Sequence, residues 1–446
     1  MSVLRPLVLR LHFYAGVFVA PFLLVAAVTG LLYAGSFQAE KFVYADELRV
    51  PVGADRLPVS EQIAAARDAH PQGTISAIRP SPEPGATTRV LLTGVPGVAD
   101  GHTLAVFVDP YTGKVRGALE SYGSTGALPL RTWIDELHRD LHLGETGRLY
   151  SEFAASWLGV IAAGGLVLWF SRRRARRALR GTSGRRRSLA LHGTVGAWAA
   201  AGLLFLSATG LTWSTYAGAS IDDLRTALGH STPAVSASGG DQGDHGDHGA
   251  AGAGTEGVGT GTEVDAVLHA ARGKGLSDPV EIVPPADSSS AYVVRQIQRS
   301  WPEKQDSVAV AVDPGSGDAT VTDTLRFADY PVLAKLTRWG IDAHTGNLFG
   351  LANQIALALL ALALIFLILW GYRMWWQRGR DAGFGRPVPR GAWSRVPPYV
   401  LVPCAVAVAV LGYFVPLLGV PLVAFLAVDA LLGEIAHRRG APPVDR

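Results

Sequence analysis

Four histidines fall at matched places in two halves of this chain. His12 is followed four residues later by Gly16 and seventeen later by Thr29-Gly30-Leu31. His192 is followed at the same distances by Gly196 and by Thr209-Gly210-Leu211. Further on, "DLHLGETGRLY" (140–150) and "DAHTGNLFG" (342–350) share Asp-x-His, which adds His142 and His344. Neutral imidazole is a good metal ligand, and two imidazoles from facing helices saturate a heme iron axially, which favours electron transfer over oxygen chemistry. The expectation is two bis-histidine b-type hemes, one held by His12 and His192 and the other by His142 and His344. Cys404 is the only cysteine, so intrachain disulfides, a Cys-x-x-Cys metal site and covalent heme attachment are all excluded. His138 lies one helical turn before His142 on the same face, so it is an alternative ligand, a propionate contact or a surface residue. Gly16, Gly193 and Gly196 leave room for a flat macrocycle. Asp140 and Asp342 either orient their histidines or form turns and caps.

Such sites need helices that cross a bilayer. Hydrophobic residues make up 48% of the 446 positions and charged ones only 17%, too apolar a balance for an ordinary soluble chain of this length. Apolar runs at Phe13–Tyr33, Ala154–Phe170, Leu189–Trp213 and Leu348–Tyr372 approach or exceed the roughly 20 residues of a spanning helix. A fifth stretch, Tyr399–Leu432, is interrupted by "VPLLGVP" and reads as a helical hairpin or re-entrant element. Nine arginines between Arg172 and Arg187, and six between Arg373 and Arg395, mark two cytoplasmic loops by the positive-inside rule; they are topology signals, not a nucleic-acid surface. Arg5 and Arg10 then place the N-terminus inside, and both termini are cytoplasmic. His12 and His192 start outward-running helices, while His142 and His344 start inward-running ones. The seventeen residues from His12 to Thr29 cover about 26 Å of helix, nearly the hydrocarbon thickness. One histidine pair therefore lies near each surface, and the two hemes form a wire across the membrane.

The fold class expected is a polytopic α-helical membrane protein, four main spans plus a C-terminal helical hairpin, with two small α+β extracytoplasmic domains and an internal duplication. The boundaries are helix 1–35, domain 36–140, helix 141–172, arginine loop 173–188, helix 189–213, domain 214–342, helix 343–376, loop 377–396, hairpin 397–433 and tail 434–446. Each domain carries a short helix, with Ser60 or Thr262 as N-cap. Each also carries a hairpin that turns at Asp-Pro, in "TLAVFVDPYTGKV" (103–115) and "SVAVAVDPGSGDATV" (307–321). Residues 230–261 hold too little apolar content to pack and read as disordered. Their "DHGDHG" (244–249) reads as a solvated linker, with weak metal binding the alternative. Tryptophans at helix ends, such as Trp169 and Trp370, read as interfacial anchors.

The histidines with Thr-Gly-Leu, "VDPYTGKV" and "HTGNLFG" together resemble the PepSY-associated transmembrane family, also called iron-regulated membrane proteins, over nearly residues 1–378. That family includes inner-membrane ferric-siderophore reductases with b-type heme. The resemblance implies PepSY-like exterior domains and single-electron reduction of a ferric siderophore outside the cytoplasm, with release of ferrous iron. The residues expected around heme, from their spacing, are His12, His192, His142, His344 and His138. Some relatives carry a cytoplasmic flavoprotein domain. This chain shows no Gly-rich phosphate loop after a strand, so a separate cytoplasmic or quinol donor is expected. Two rivals remain: a non-redox envelope protein that restrains a peptidase or senses, and a siderophore permease. The permease needs broken or polar central helices, of which Pro21 is the chief sign.

Overall fold

A computed structural model of the chain describes residues 5–171, 184–236, 263–287, 290–382 and 397–438. The expected arginine loop 173–188, the loop 377–396, the insert 230–261 with its Asp-His-Gly run, the candidate cap Thr262 and the tail 434–446 lie wholly or partly outside those residues. Helices α1 (Arg5–Phe18), α2 (Ala20–Val43), α3 (Ala45–Leu48) and α4 (Val59–Ala69) come first. Strands β1 (Thr74–Arg79), β2 (Thr88–Thr93), β3 (His102–Val108) and β4 (Val115–Tyr122) follow. Then come α5 (Pro129–Arg139), α6 (Glu145–Ser171), α7 (Arg185–Leu211), α8 (Tyr216–Ala227) and α9 (Glu263–Gly273). Strands β5 (Val280–Val283), β6 (Tyr292–Gln296), β7 (Ser307–Val312) and β8 (Ala319–Leu325) precede α10 (Val332–Thr345), α11 (Gly350–Ala382), α12 (Pro398–Phe414) and α13 (Pro416–Arg438). The chain divides into a helical unit (1–34, 136–228 and 355–446) and a sheet unit (35–135 and 229–354).

In the helical unit, parts of α2, α6, α7, α11 and α13 are long and apolar enough to cross a membrane, and α12 is a shorter apolar helix. The protein is a multi-pass membrane protein. Ala15, Val19 and Leu23 pack with Trp157, Leu203, Leu367 and Leu418 in one core. Ala15, Ala20, Ala154 and Ala199 in that core are small and let helices approach closely where lipid offers no hydrophobic drive. The first span is not one straight helix: α1 ends at Phe18 and α2 begins at Ala20. Pro21 explains the break, because it has no N–H for the Val17 carbonyl four residues earlier. The Tyr372 hydroxyl on α11 donates to that carbonyl at 2.8 Å instead, which supplies the partner a membrane backbone group requires. The expected hairpin is present as α12 and α13, whose Gly412 and Gly419 backbones touch; a Cβ on Gly419 would lie 2.2 Å from the Gly412 Cα.

The sheet unit departs from the expectation of two separate small domains. Its eight strands form a single sheet in the order β4-β3-β2-β1-β5-β6-β7-β8, antiparallel throughout. Each half contributes a helix and four strands, and the halves join where Ile78 pairs with Ile282. The join has a physical reason: β1 and β5 would otherwise be open edges. Val90, Val106, Ile282 and Val308 share one core with Ile63 and Ala66 of α4 and Val267 and Ala271 of α9. Ser60 is not an N-cap. Pro58 precedes α4 without a side-chain cap, and Asp265 of α9 accepts from the backbone N–H groups of Val59 (2.8 Å) and Ser60 (3.2 Å). Both expected hairpins form. Asp109 accepts from Tyr111 N at 2.9 Å, and Asp313 accepts from Gly315 N (2.7 Å) and Ser316 N (2.9 Å), the side-chain chemistry of Asx turns. The opposite sheet face carries a row of charge: Arg89 pairs across strands with Arg79, and Glu281 with Arg295. Glu281 bonds Arg79 Nε at 2.6 Å and Arg295 Nε at 2.8 Å.

Candidate histidine site

His12 sits in the middle of α1 and His192 in the first third of α7. The structure brings their rings together, with centroids 6.4 Å apart and planes inclined by 75°. The Nδ1 of His12 lies 3.0 Å from the Ile161 carbonyl of α6. A carbonyl only accepts, so this contact holds the proton on Nδ1 and leaves the Nε2 lone pair available. The ring rests on two glycines of α6: a Cβ on Gly165 would lie 3.1 Å from His12 Cε1, and one on Gly164 would lie 3.8 Å from its Nδ1. One turn along α1 on the His12 face, a Cβ on Gly16 would meet nothing within 4 Å. Across the gap, a Cβ on Gly371 of α11 would come 3.9 Å from His192 Cε1. The His192 Nδ1 is buried and makes no hydrogen bond among the described residues.

Near the middle of α2, the residue that meets the Thr-Gly-Leu motif is His138 of α5. Its Nδ1 is 2.9 Å from Thr29 Oγ1, while that hydroxyl donates to the Val25 carbonyl at 2.9 Å. With its one proton committed to the backbone, Thr29 accepts from His138 Nδ1–H, and Nε2 is again the free nitrogen. Gly30 provides the floor, since a Cβ there would lie 3.1 Å from His138 Cε1. The Tyr33 ring stacks at 6.5 Å. Burial pushes the His138 imidazole down to about 4, so it is neutral at physiological pH.

His142 and His344 do not begin the helices that follow them. His142 lies in the turn between α5 and α6 with a left-handed backbone (φ 55°), its Nδ1 3.3 Å from Glu136 Oε2. His344 lies in the last turn of α10, in the sheet unit. The matched sequences adopt different conformations. α5 ends at Arg139, before Asp140, whereas α10 runs through Asp342 to Thr345 and closes on Gly346 at φ 87°. The two aspartates act as turn and cap groups. Asp140 accepts from His142 N at 3.0 Å. The Asp342 carbonyl accepts from the N–H groups of Asn347 (2.8 Å) and Leu348 (3.0 Å), and its carboxylate pairs with Arg299 at 3.2 Å. Counting back from Asp342 as His138 counts back from Asp140, the second half has Gly340 where the first has a histidine.

Sequence reasoning missed Ile161, the Gly164-Gly165 pair, Tyr372 and the partner of Arg10. Two signals were present: a glycine doublet inside a span, and Asp429, a lone carboxylate in an apolar run. Arg10 is buried rather than lodged at a water-facing surface. Its Nε and Nη2 each contact an Asp429 carboxylate oxygen of α13 at 2.8 Å, with 2% and 5% of the two side chains exposed.

The family model described as the PepSY-associated TM region matches residues 9–378. The chain belongs to this family. The match takes in the duplicated histidine motifs and the whole sheet, and stops before the α12–α13 hairpin. A comparison with curated proteins finds no match.

Proposed function

We propose that this membrane protein carries single electrons through non-covalently bound b-type heme to a ferric chelate, such as a siderophore, on the side of the membrane where the sheet unit lies. The observation that carries the reading is the His12–His192 pair. The two ring centroids lie 6.4 Å apart, so His12 and His192 are the residues that would hold one heme iron between them. The donor chemistry fits as well, because His12 and His138 are both held in the tautomer that presents Nε2. Bound heme would supply a one-electron couple tuned by its axial imidazoles and its burial.

The chain's own residues supply the rest. Ile161 and Thr29 fix the two tautomers. Gly16, Gly164, Gly165 and Gly30 keep bulk away from the rings, and the apolar helices exclude water. His138 replaces His142 as the favoured ligand at the Thr29 end; His344 keeps its expected role only as a proposal. The donor is a separate quinol or cytoplasmic reductant that surrenders one electron at a time. One electron converts ferric to ferrous iron, which hard oxygen donors hold less tightly, so the metal is released.

An absorption spectrum of detergent-purified protein, oxidised and then dithionite-reduced, tests the reading. A Soret band and sharp reduced α-band are expected. Their loss in part in His12→Ala and His192→Ala, and in His138→Ala more than in His142→Ala, is the expected pattern. Purified protein without a Soret band after heme supplementation would exclude the proposal.

A further inference from the structure

We propose that Asp429 tunes the His12–His192 site by cancelling the charge of Arg10; the inference rests on the heme reading above. Three observations carry it. Arg10 lies two residues from His12 on α1, about 3 Å along the helix axis. It is buried, and its guanidinium holds Asp429 in a two-point grip at 2.8 Å and 2.8 Å. Asp429 belongs to α13, beyond the stretch 9–378 that the family model matches, so this hairpin brings the compensating charge to a core that already contains the arginine.

A guanidinium does not lose its proton in a protein, and an unpaired one inside a membrane is costly. The bidentate carboxylate answers both the charge and the hydrogen bonding. Tyr14 against Phe425, with ring centroids 6.1 Å apart, packs the same two helices beside the pair. Cancelled, the pair exerts little net field on a metal between the imidazoles. With Asp429 neutralised, the guanidinium loses this counter-charge; one unit of charge acting over a separation on the order of 12 Å at an effective dielectric constant near 20 shifts a one-electron equilibrium by about tenfold, or about 59 mV. A nearby cation favours the electron-loaded iron, so the potential rises. Removing Arg10 alone leaves the carboxylate and shifts it the other way.

The experiment is a spectroelectrochemical titration of the full-length, heme-loaded protein in detergent. It compares wild type with Asp429→Asn, Arg10→Gln and the double variant, with heme content and low-spin ferric EPR recorded on each. One heme component is expected to move up about tenfold in its equilibrium in Asp429→Asn, down in Arg10→Gln, and to return near wild type in the double variant. Mere loosening of the hairpin does not reverse sign between the two single variants. Should Asp429→Asn fail to insert, Arg10→Gln against the double variant measures the same coupling. Heme present with unshifted potentials, or shifts of one sign in both single variants, overturns the inference while leaving the heme reading intact. A chain that binds no heme overturns both.

Discussion

Substituting Gly165 by alanine puts one methyl group against the His12 imidazole. The added Cβ would stand 3.1 Å from Cε1 and 3.7 Å from Nδ1, and ordinary contact begins near 3.4 Å, so the ring must retreat by 3.4 − 3.1, about 0.3 Å. A metal site accepts errors of about 0.2 Å in its ligand distances. The same retreat, away from α6, stretches the 3.0 Å contact to the Ile161 carbonyl, which holds the tautomer. Loss of such an orienting contact costs about tenfold or more in metal-site affinity. Gly35→Ala is the control, because a Cβ there meets nothing within 4 Å. The assay is heme per protein by pyridine hemochromogen, followed by transfer of heme to an apo-globin acceptor. On the proposed heme reading, Gly165→Ala should release heme about tenfold faster than wild type, and Gly35→Ala should not. Unchanged release and an unchanged low-spin signal in Gly165→Ala would refute the cradle argument.

Tyr372→Phe leaves the Val17 carbonyl without its donor and should lower stability by about 1–3 kcal/mol, read as a drop in detergent melting temperature with heme content retained. Gly147→Ala should not accumulate as folded protein, because a Cβ there would lie 1.5 Å from the Asp140 carbonyl oxygen; normal yield and melting would refute the turn geometry. Burial alone would raise the Glu281 carboxyl, but Arg79 and Arg295 outweigh it and hold the group at about 2 instead of 4.5. That depression stabilises the fold fully above pH 4.5 and is lost as pH falls toward 2. Glu281→Gln should therefore melt lower at neutral pH and lose less than wild type on acidification; parallel curves would exclude the assignment.

The alternation of "TLAVFVDPYTGKV", the apolar runs and the spacing from His12 to Thr29 were legible because each is a local pattern: period two for a strand, a sustained apolar length for a span, a repeated interval for a duplicated unit. His12 and His192 could be paired from those intervals alone. The first span was less legible at Pro21, whose missing N–H announces an unpaired carbonyl but not that Tyr372, some 350 positions away, answers it.

Sequence alone determined that this chain spans a membrane several times and carries matched histidine intervals in its two halves, since those properties follow from residue type and interval. Tertiary structure decided the rest. It chose His138 over His142 for the Thr29 hydroxyl, because α5 stops where α10 continues. It merged two expected domains into one sheet, because two strand edges found each other. It turned Arg10 from a topology marker into the partner of Asp429. Each of these depends on a contact between residues far apart in the chain, and no local pattern records which of several compatible partners a side chain will meet.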